Sequence, residues 1–137
     1  MNDLDLDGLT LVRAARLLKR RKISALELTR ACLARIERLQ PTLNAFITIT
    51  AEHALRQARR ADREIRKGKY RGALHGIPVS VKDLYSTKGI RTTAGSLILV
   101  DHVPTDNATT VTRLEKAGTV LIGKNNLHEW ACGVSTD

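Results

Sequence analysis

Lys82 closes the run Ile77-Pro78-Val79-Ser80-Val81. That run is rich in β-branched residues and flanked by glycine, so it reads as a buried strand. A lysine at its end would sit near the carboxyl edge of a sheet, where open α/β folds place their ligands. Free lysine is protonated, with a reference pKa of about 10.4. Burial disfavours the charged form, and a lysine so shifted is a usable general base. The plainer alternative is a lysine that snorkels from a strand end or pairs with a carboxylate. Asp83 is adjacent but points to the other side of the strand, because the side-chain period is two. Ser80 lies two residues before Lys82 and shares its face. A Ser80–Lys82 dyad is conceivable, yet neighbours on one strand face project in parallel and do not aim at each other.

His128 and Cys132 are four residues apart and could face a metal together if they lie on one helix. His53, His75 and His102 are scattered, and no further pair completes a site. No metal and no cofactor are therefore expected. Lys124 follows Gly123 but lacks the upstream glycine spacing of a phosphate-binding loop.

The elements that must position these residues fall into two stretches. Residues 1–72 read as a basic helical region, and residues 73–137 as the start of an α/β core. Thr10 caps a first helix, Leu11 to Arg21. Ser24-Ala25-Leu26-Glu27 is a capping box that opens a second helix running to about Leu39. Leu28, Cys32, Ile36 and Leu39 make its apolar stripe, and Pro41 is expected to close it. Ala45 to Ile49 suits a short strand. Thr50 is expected to cap a third helix to about Lys67, with Ala54, Leu55, Ala58, Ala61 and Ile65 inside and Gly68 after its end.

Beyond Gly72 the pattern changes to strand, loop, helix, strand, helix. Ile77–Val81 is the first buried strand. Asp106-Asn107 caps a helix from about Ala108 to Ala117, which Gly118 ends. Thr119–Ile122 is a second buried strand, and Asn125-Asn126 opens a short helix through Trp130. This order is that of an α/β fold with parallel strands.

Hydrophobic residues make up 42% of the chain and aromatics only 3%, so one domain-sized, aliphatic core is expected. No run of 18 or more apolar residues exists, so no membrane span is expected. The acidic N-terminus has no apolar segment of a secretory signal. Cys32 and Cys132 read as two free thiols, and the cytoplasm is the expected location. The net charge of +9 sits in residues 1–72, with 17 Lys and Arg against 8 Asp and Glu; residues 73–137 hold 6 of each. On helices two and three the basic residues, Arg56, Arg59, Arg60, Arg63 and Lys67 among them, lie off the apolar stripes. They read as solvated faces. A basic nucleic-acid-binding module is the reading from another functional class. It lacks an aromatic platform or a binding motif, so nucleic acid is not expected as a partner.

Four blocks stand in register: Leu74-His75-Gly76-Ile77-Pro78-Val79-Ser80-Val81-Lys82-Asp83-Leu84, then Gly89 to Ser96, then Asp106 to Val111, then Ala117 to Glu129. Their order and spacing resemble the amidase-signature family, strongly over about half the chain. The resemblance implies the first strands and helices of that family's mixed-sheet α/β fold, incomplete here. It implies amide hydrolysis or transfer by a Ser–cis-Ser–Lys triad in which Lys82 takes the lysine's place. The lysine acts through a bridging serine on a nucleophilic serine, and backbone amides stabilise the oxyanion.

Both family serines belong to a Gly-Gly-Ser-Ser-Gly-Gly-Ser block that follows the Gly-Lys-x-Asn block. Ser24, Ser80, Ser86, Ser96 and Ser135 are the serines here, and none has a Gly-Ser-Ser setting. The expectation is a fragment that holds Lys82 alone and is inactive by itself. Its substrate in the complete enzyme would be a small-molecule amide. It would depend on a complementary C-terminal chain or self-associate, because strand edges and apolar faces would be uncovered. The amidase component of the tRNA-dependent glutamine amidotransferases shares the motif and is the alternative. His128-Glu129 looks more like general amidases than like that component's usual Asp-Glu-Phe.

Overall fold

The computed structural model describes residues 4–133; Ser135 and the other terminal positions lie outside it. Helix α1 spans Leu11–Lys19, α2 Ala25–Leu43, α3 Ala51–Arg66 and α4 Thr109–Ala117. Strand β1 is Phe46–Ile49, β2 Pro78–Lys82 and β3 Val120–Asn125. Short 3-10 turns occur at Leu97–Leu99 and Glu129–Ala131. The architecture is mixed α/β, with one three-stranded sheet in the order β1-β3-β2. β2 runs parallel to β3, as expected, while β1 pairs antiparallel on the other side. No described helix is long and apolar enough to cross a membrane.

The helix starts follow the sequence. The Thr10 hydroxyl accepts the Arg13 amide, and the Ser24–Glu27 capping box forms in both directions. A partner from elsewhere strengthens the second start. The Asp62 carboxylate on α3 accepts the amides of Ala25 and Leu26 at 2.7 and 3.1 Å, so two orphan first-turn donors of α2 are satisfied across the helix pair. Small residues let these helices approach: Ala25, Ala54, Ala58 and Ala61 are all buried. With Leu18, Leu28, Ile77, Val120 and Ile122 they form one aliphatic core drawing on both stretches of the chain.

Helix α1 ends at Lys19, two residues short of the expected Arg21, and three further boundaries differ from expectation. Helix α2 runs through Pro41 to Leu43, because a proline in the last turn forfeits a single hydrogen bond. Asn44, left-handed at φ 45°, ends the helix instead, and its amide reaches Gln40 O at 2.8 Å. Thr50 precedes α3 but does not cap it; its hydroxyl donates to Leu121 O at 2.7 Å, tying the helix start to β3. Asn107 likewise leaves α4 uncapped and accepts the Lys88 amide at 2.7 Å. In both cases a tertiary partner outcompetes the local amide.

Candidate active site

β3 is the central strand, and Val120, Leu121, Ile122, Gly123 and Lys124 are all buried. Lys124 is the fully buried lysine of this chain, at 0% exposure. The parallel register places Val81 beside Lys124 and Lys82 beside Asn125. Immediately after β2 the Asp83 amide donates to Asn125 O at 3.1 Å, which carries the pairing one residue past the strand. The Asp83 carboxylate turns inward, as the two-residue period requires, and is also at 0% exposure.

The two buried charges meet. Lys124 Nζ lies 3.2 Å from Asp83 Oδ1. It donates to Tyr85 O at 2.9 Å and to Thr92 Oγ1 at 2.6 Å. Thr92 Oγ1 in turn donates to Ile90 O at 3.1 Å. The other carboxylate oxygen, Asp83 Oδ2, accepts the Thr93 amide at 2.8 Å and the Thr93 hydroxyl at 2.6 Å. Burial pushes the Lys124 ammonium below the usual lysine range, and Asp83 opposes that shift. Most of the pair's remaining groups are matched, but Asp83 Oδ1 accepts no hydrogen bond and is compensated only by its charge contact with Lys124. The network ties the ends of β2 and β3 to the loop that follows. That loop includes Ala94 at φ 53°, a left-handed alanine. Its amide donates to Asp83 O at 3.1 Å, and its carbonyl accepts the Trp130 amide at 2.8 Å.

Lys82 itself is exposed. The sequence suggests a strand buried on both faces with a dry lysine at its end, and the structure corrects this. β2 is an edge strand, so Ser80 and Lys82 on its outward face meet solvent while Val81 and Asp83 face in. Lys82 makes no ion pair among the described residues. Ser80 does share its face. The fully buried lysine of the chain is Lys124, to which sequence reasoning gives no role because it fails the phosphate-loop pattern. The signal that points to it is a lysine directly after the β-rich run Thr119 to Gly123, in the strand with the strongest burial pattern.

His128 and Cys132 do not share a helical face. His128 precedes, and Cys132 follows, a single 3-10 turn interrupted at Trp130, φ 55°. Among the described residues no three His, Cys, Asp or Glu side chains gather as a metal site. The short helix expected from Asn125 is absent because Asn125 ends β3 and Asn126 bonds to the α2–β1 turn; its amide reaches Ala45 O at 2.9 Å and its side chain Asn44 O at 3.0 Å. Glu129 accepts the Ser96 hydroxyl at 2.6 Å, joining this turn to the loop after β2.

The structure is a mixed α/β scaffold with a lysine at the carboxyl end of a parallel edge strand, braced by a buried Lys–Asp pair. Residues 27–137 match the profile of the amidase family, and the chain belongs to that family. It is 50% identical over 133 residues to the A subunit of the glutamyl-tRNA(Gln) amidotransferase of Dehalococcoides mccartyi, covering 97% of this chain and 27% of that protein. The protein of the same name from Thermoanaerobacter pseudethanolicus is 45% identical over 134 residues, 98% of this chain and 27% of that one. The peptide amidase of Stenotrophomonas maltophilia superposes with a TM-score of 0.83 at 40% identity, over 88% of this chain and 25% of that enzyme. The chain thus spans about a quarter of the length of the relatives it matches.

Proposed function

We propose that these residues supply the general base of an amide-bond hydrolase, and that the base is Lys82. The observation that carries this reading is the position of Lys82. It stands at the carboxyl end of β2, next to Asn125 of β3, with the turn behind it held by the buried Asp83–Lys124 pair. Such a base would deprotonate a bridging serine, which relays activation to a nucleophilic serine. Desolvation is what turns a lysine into a base. Here it has to come from polypeptide laid over the exposed face of β2, and the same polypeptide would carry the serines. The 137 residues hold none in a Gly-Ser-Ser setting, so by themselves they are expected to be inactive. The substrate in the assembled enzyme is a small amide. Free thiols at Cys32 and Cys132 suit a cytoplasmic setting.

The test is complementation. Residues 1–137 are co-expressed with a chain carrying the Gly-Gly-Ser-Ser-Gly-Gly-Ser block, and ammonia release from amides is followed. Activity should require both chains, and Lys82→Ala should lower it by about 10²–10⁴-fold. Full activity of the Lys82→Ala complex would remove Lys82 as the base.

A second reading is favoured by the 45–50% identity to proteins named as glutamyl-tRNA(Gln) amidotransferase components. On that reading the complemented site releases ammonia from glutamine in preference to a peptide amide and works within a larger complex. Preference for the peptide amide would reject it.

A further inference from the structure

Arg56, Arg60 and Arg63 follow one another at spacings of four and three, so they line one face of α3. Their spacing alone joins them to nothing else. The fold lays that face against α4 and the segment after α3, opening a groove of about 620 Å³ that Arg71 and Lys116 also line. Five permanent cations from three segments thus border one concavity. The acid that lines it, Glu115, accepts a hydrogen bond from Asn107 Nδ2 at 2.8 Å. Arg71 is anchored by two bonds to Glu64, at 2.9 and 2.7 Å, which fixes the end of the groove. Arg60, Arg63 and Lys116 have no ion-pair partner among the described residues. Arg56 reaches only the exposed Glu52, at 3.7 Å. The floor is held by Gln57, whose Oε1 accepts the Leu121 amide at 2.7 Å. His53, on the same face, is kept below the usual histidine range by burial first, then by Arg56 and Arg60, with Glu115 opposing.

We propose that this α3–α4 groove is a binding site for a chain of condensed phosphates, as in inorganic tripolyphosphate or a nucleoside triphosphate. Guanidinium groups bind phosphate oxygens bidentately. From Arg56 to Arg63 the helix rises about 10 Å, a span that several linked phosphates bridge and a single one does not. Among the described residues no Phe, Tyr or Trp lines the groove, so nothing there stacks a base. The phosphates are the recognised part, and a nucleoside is carried loosely. The same lack argues against single-stranded nucleic acid, which binds on aromatic platforms. The site is separate from the amide chemistry and stands whether or not Lys82 is a base.

The test is calorimetric titration of the 137-residue chain with tripolyphosphate, ATP and adenosine at about 0.15 M salt. Tripolyphosphate and ATP should bind and adenosine should not. Binding of ATP far tighter than tripolyphosphate would identify a nucleotide as the natural source. The triple variant Arg56→Gln, Arg60→Gln, Arg63→Gln should weaken binding at least about tenfold. A charge-matched control, Arg13→Gln, Arg16→Gln, Arg20→Gln, should change it less than about twofold. Equal losses in both variants would mean diffuse attraction to net charge and overturn the site. So would no tripolyphosphate binding, including the case in which only an RNA duplex binds. On the unaltered chain, tripolyphosphate should shift the Nε–Hε resonances of Arg56, Arg60 and Arg63; equal shifts at Arg13, Arg16 and Arg20 would overturn the assignment even if the triple variant failed to fold.

Discussion

The ammonium of Lys124 and the carboxylate of Asp83 lie 3.2 Å apart, both at 0% exposure. They join the central strand to the residue after Lys82. Removing one partner leaves the other as an uncompensated buried charge. Asp83→Ala or Lys124→Met alone should therefore cost about 3–5 kcal/mol. The double variant should cost much less than the sum, since it removes both charges together. Urea denaturation of the four species checks this. Additive losses would show that the two charges do not act as a pair.

Amine labelling should separate the two lysines. Lys82 is exposed and should react with an acylating reagent in the folded chain, whereas Lys124 should react only after denaturation. In the complemented enzyme Lys82 should become protected. Peptide mass analysis of the labelled chain reads both. Persistent labelling of Lys82 in the active complex would contradict its role as a desolvated base.

Gly118 ends α4 at φ 82°, and a Cβ there would run into Cδ2 of the His75 ring. His75 is buried, so the ring has little room to retreat. Gly118→Ala should cost about 2 kcal/mol, roughly half from the left-handed backbone and half from overpacking. A melting temperature equal to that of the parent chain would show that the turn relaxes freely.

Acidification should weaken the fold through the same histidine. His75 Nδ1 accepts the Arg71 amide at 3.1 Å, and Nε2 lies 3.1 Å from Glu64 Oε2. Burial holds the imidazole below the usual histidine range, against the opposing pull of Glu64. Between the lowered folded value and the unfolded value of about 6.5 the unfolded chain binds the extra proton. The contribution of His75 is thus complete above about pH 6.5 and fades as pH falls through the folded value. Burial tends to raise Glu64, but the hydrogen bond and charge of Arg71 outweigh it and leave the carboxyl below its usual range. Its contribution fades in turn as the pH falls further below the ordinary carboxylate value. His75→Gln should flatten the upper part of the pH–stability curve and leave the lower part in place.

Leu97 and Ile98 stand 86% and 80% exposed on the loop after β2, and Trp130 is 47% exposed. Both β1 and β2 are edge strands. Exposed apolar side chains and open edges favour association. The isolated chain should self-associate in light scattering, and Leu97→Ser with Ile98→Ser should shift it toward monomer. A parent chain that is monodisperse and monomeric, with a cooperative melt, would exclude this.

Local chemistry made the helices legible. Thr10 and the Ser24–Glu27 box act within one turn of their own backbone, and Ala54, Ala58, Ala61 and Ile65 follow the helical period, so residue order alone specified them. The four blocks in register likewise marked the family and singled out Lys82. What residue order left open was everything settled by a partner distant in the chain. Strand order made β2 an edge and left Lys82 in water, while the central place of β3 buried Lys124 against Asp83. Thr50 and Asn107 gave up capping for partners 71 and 19 residues away. Arg56, Arg60 and Arg63 read as a solvated face until α4 and Arg71 are placed beside them. Burial and charge density depend on which surfaces meet in space, and periodicity in one segment carries no information about what packs against it.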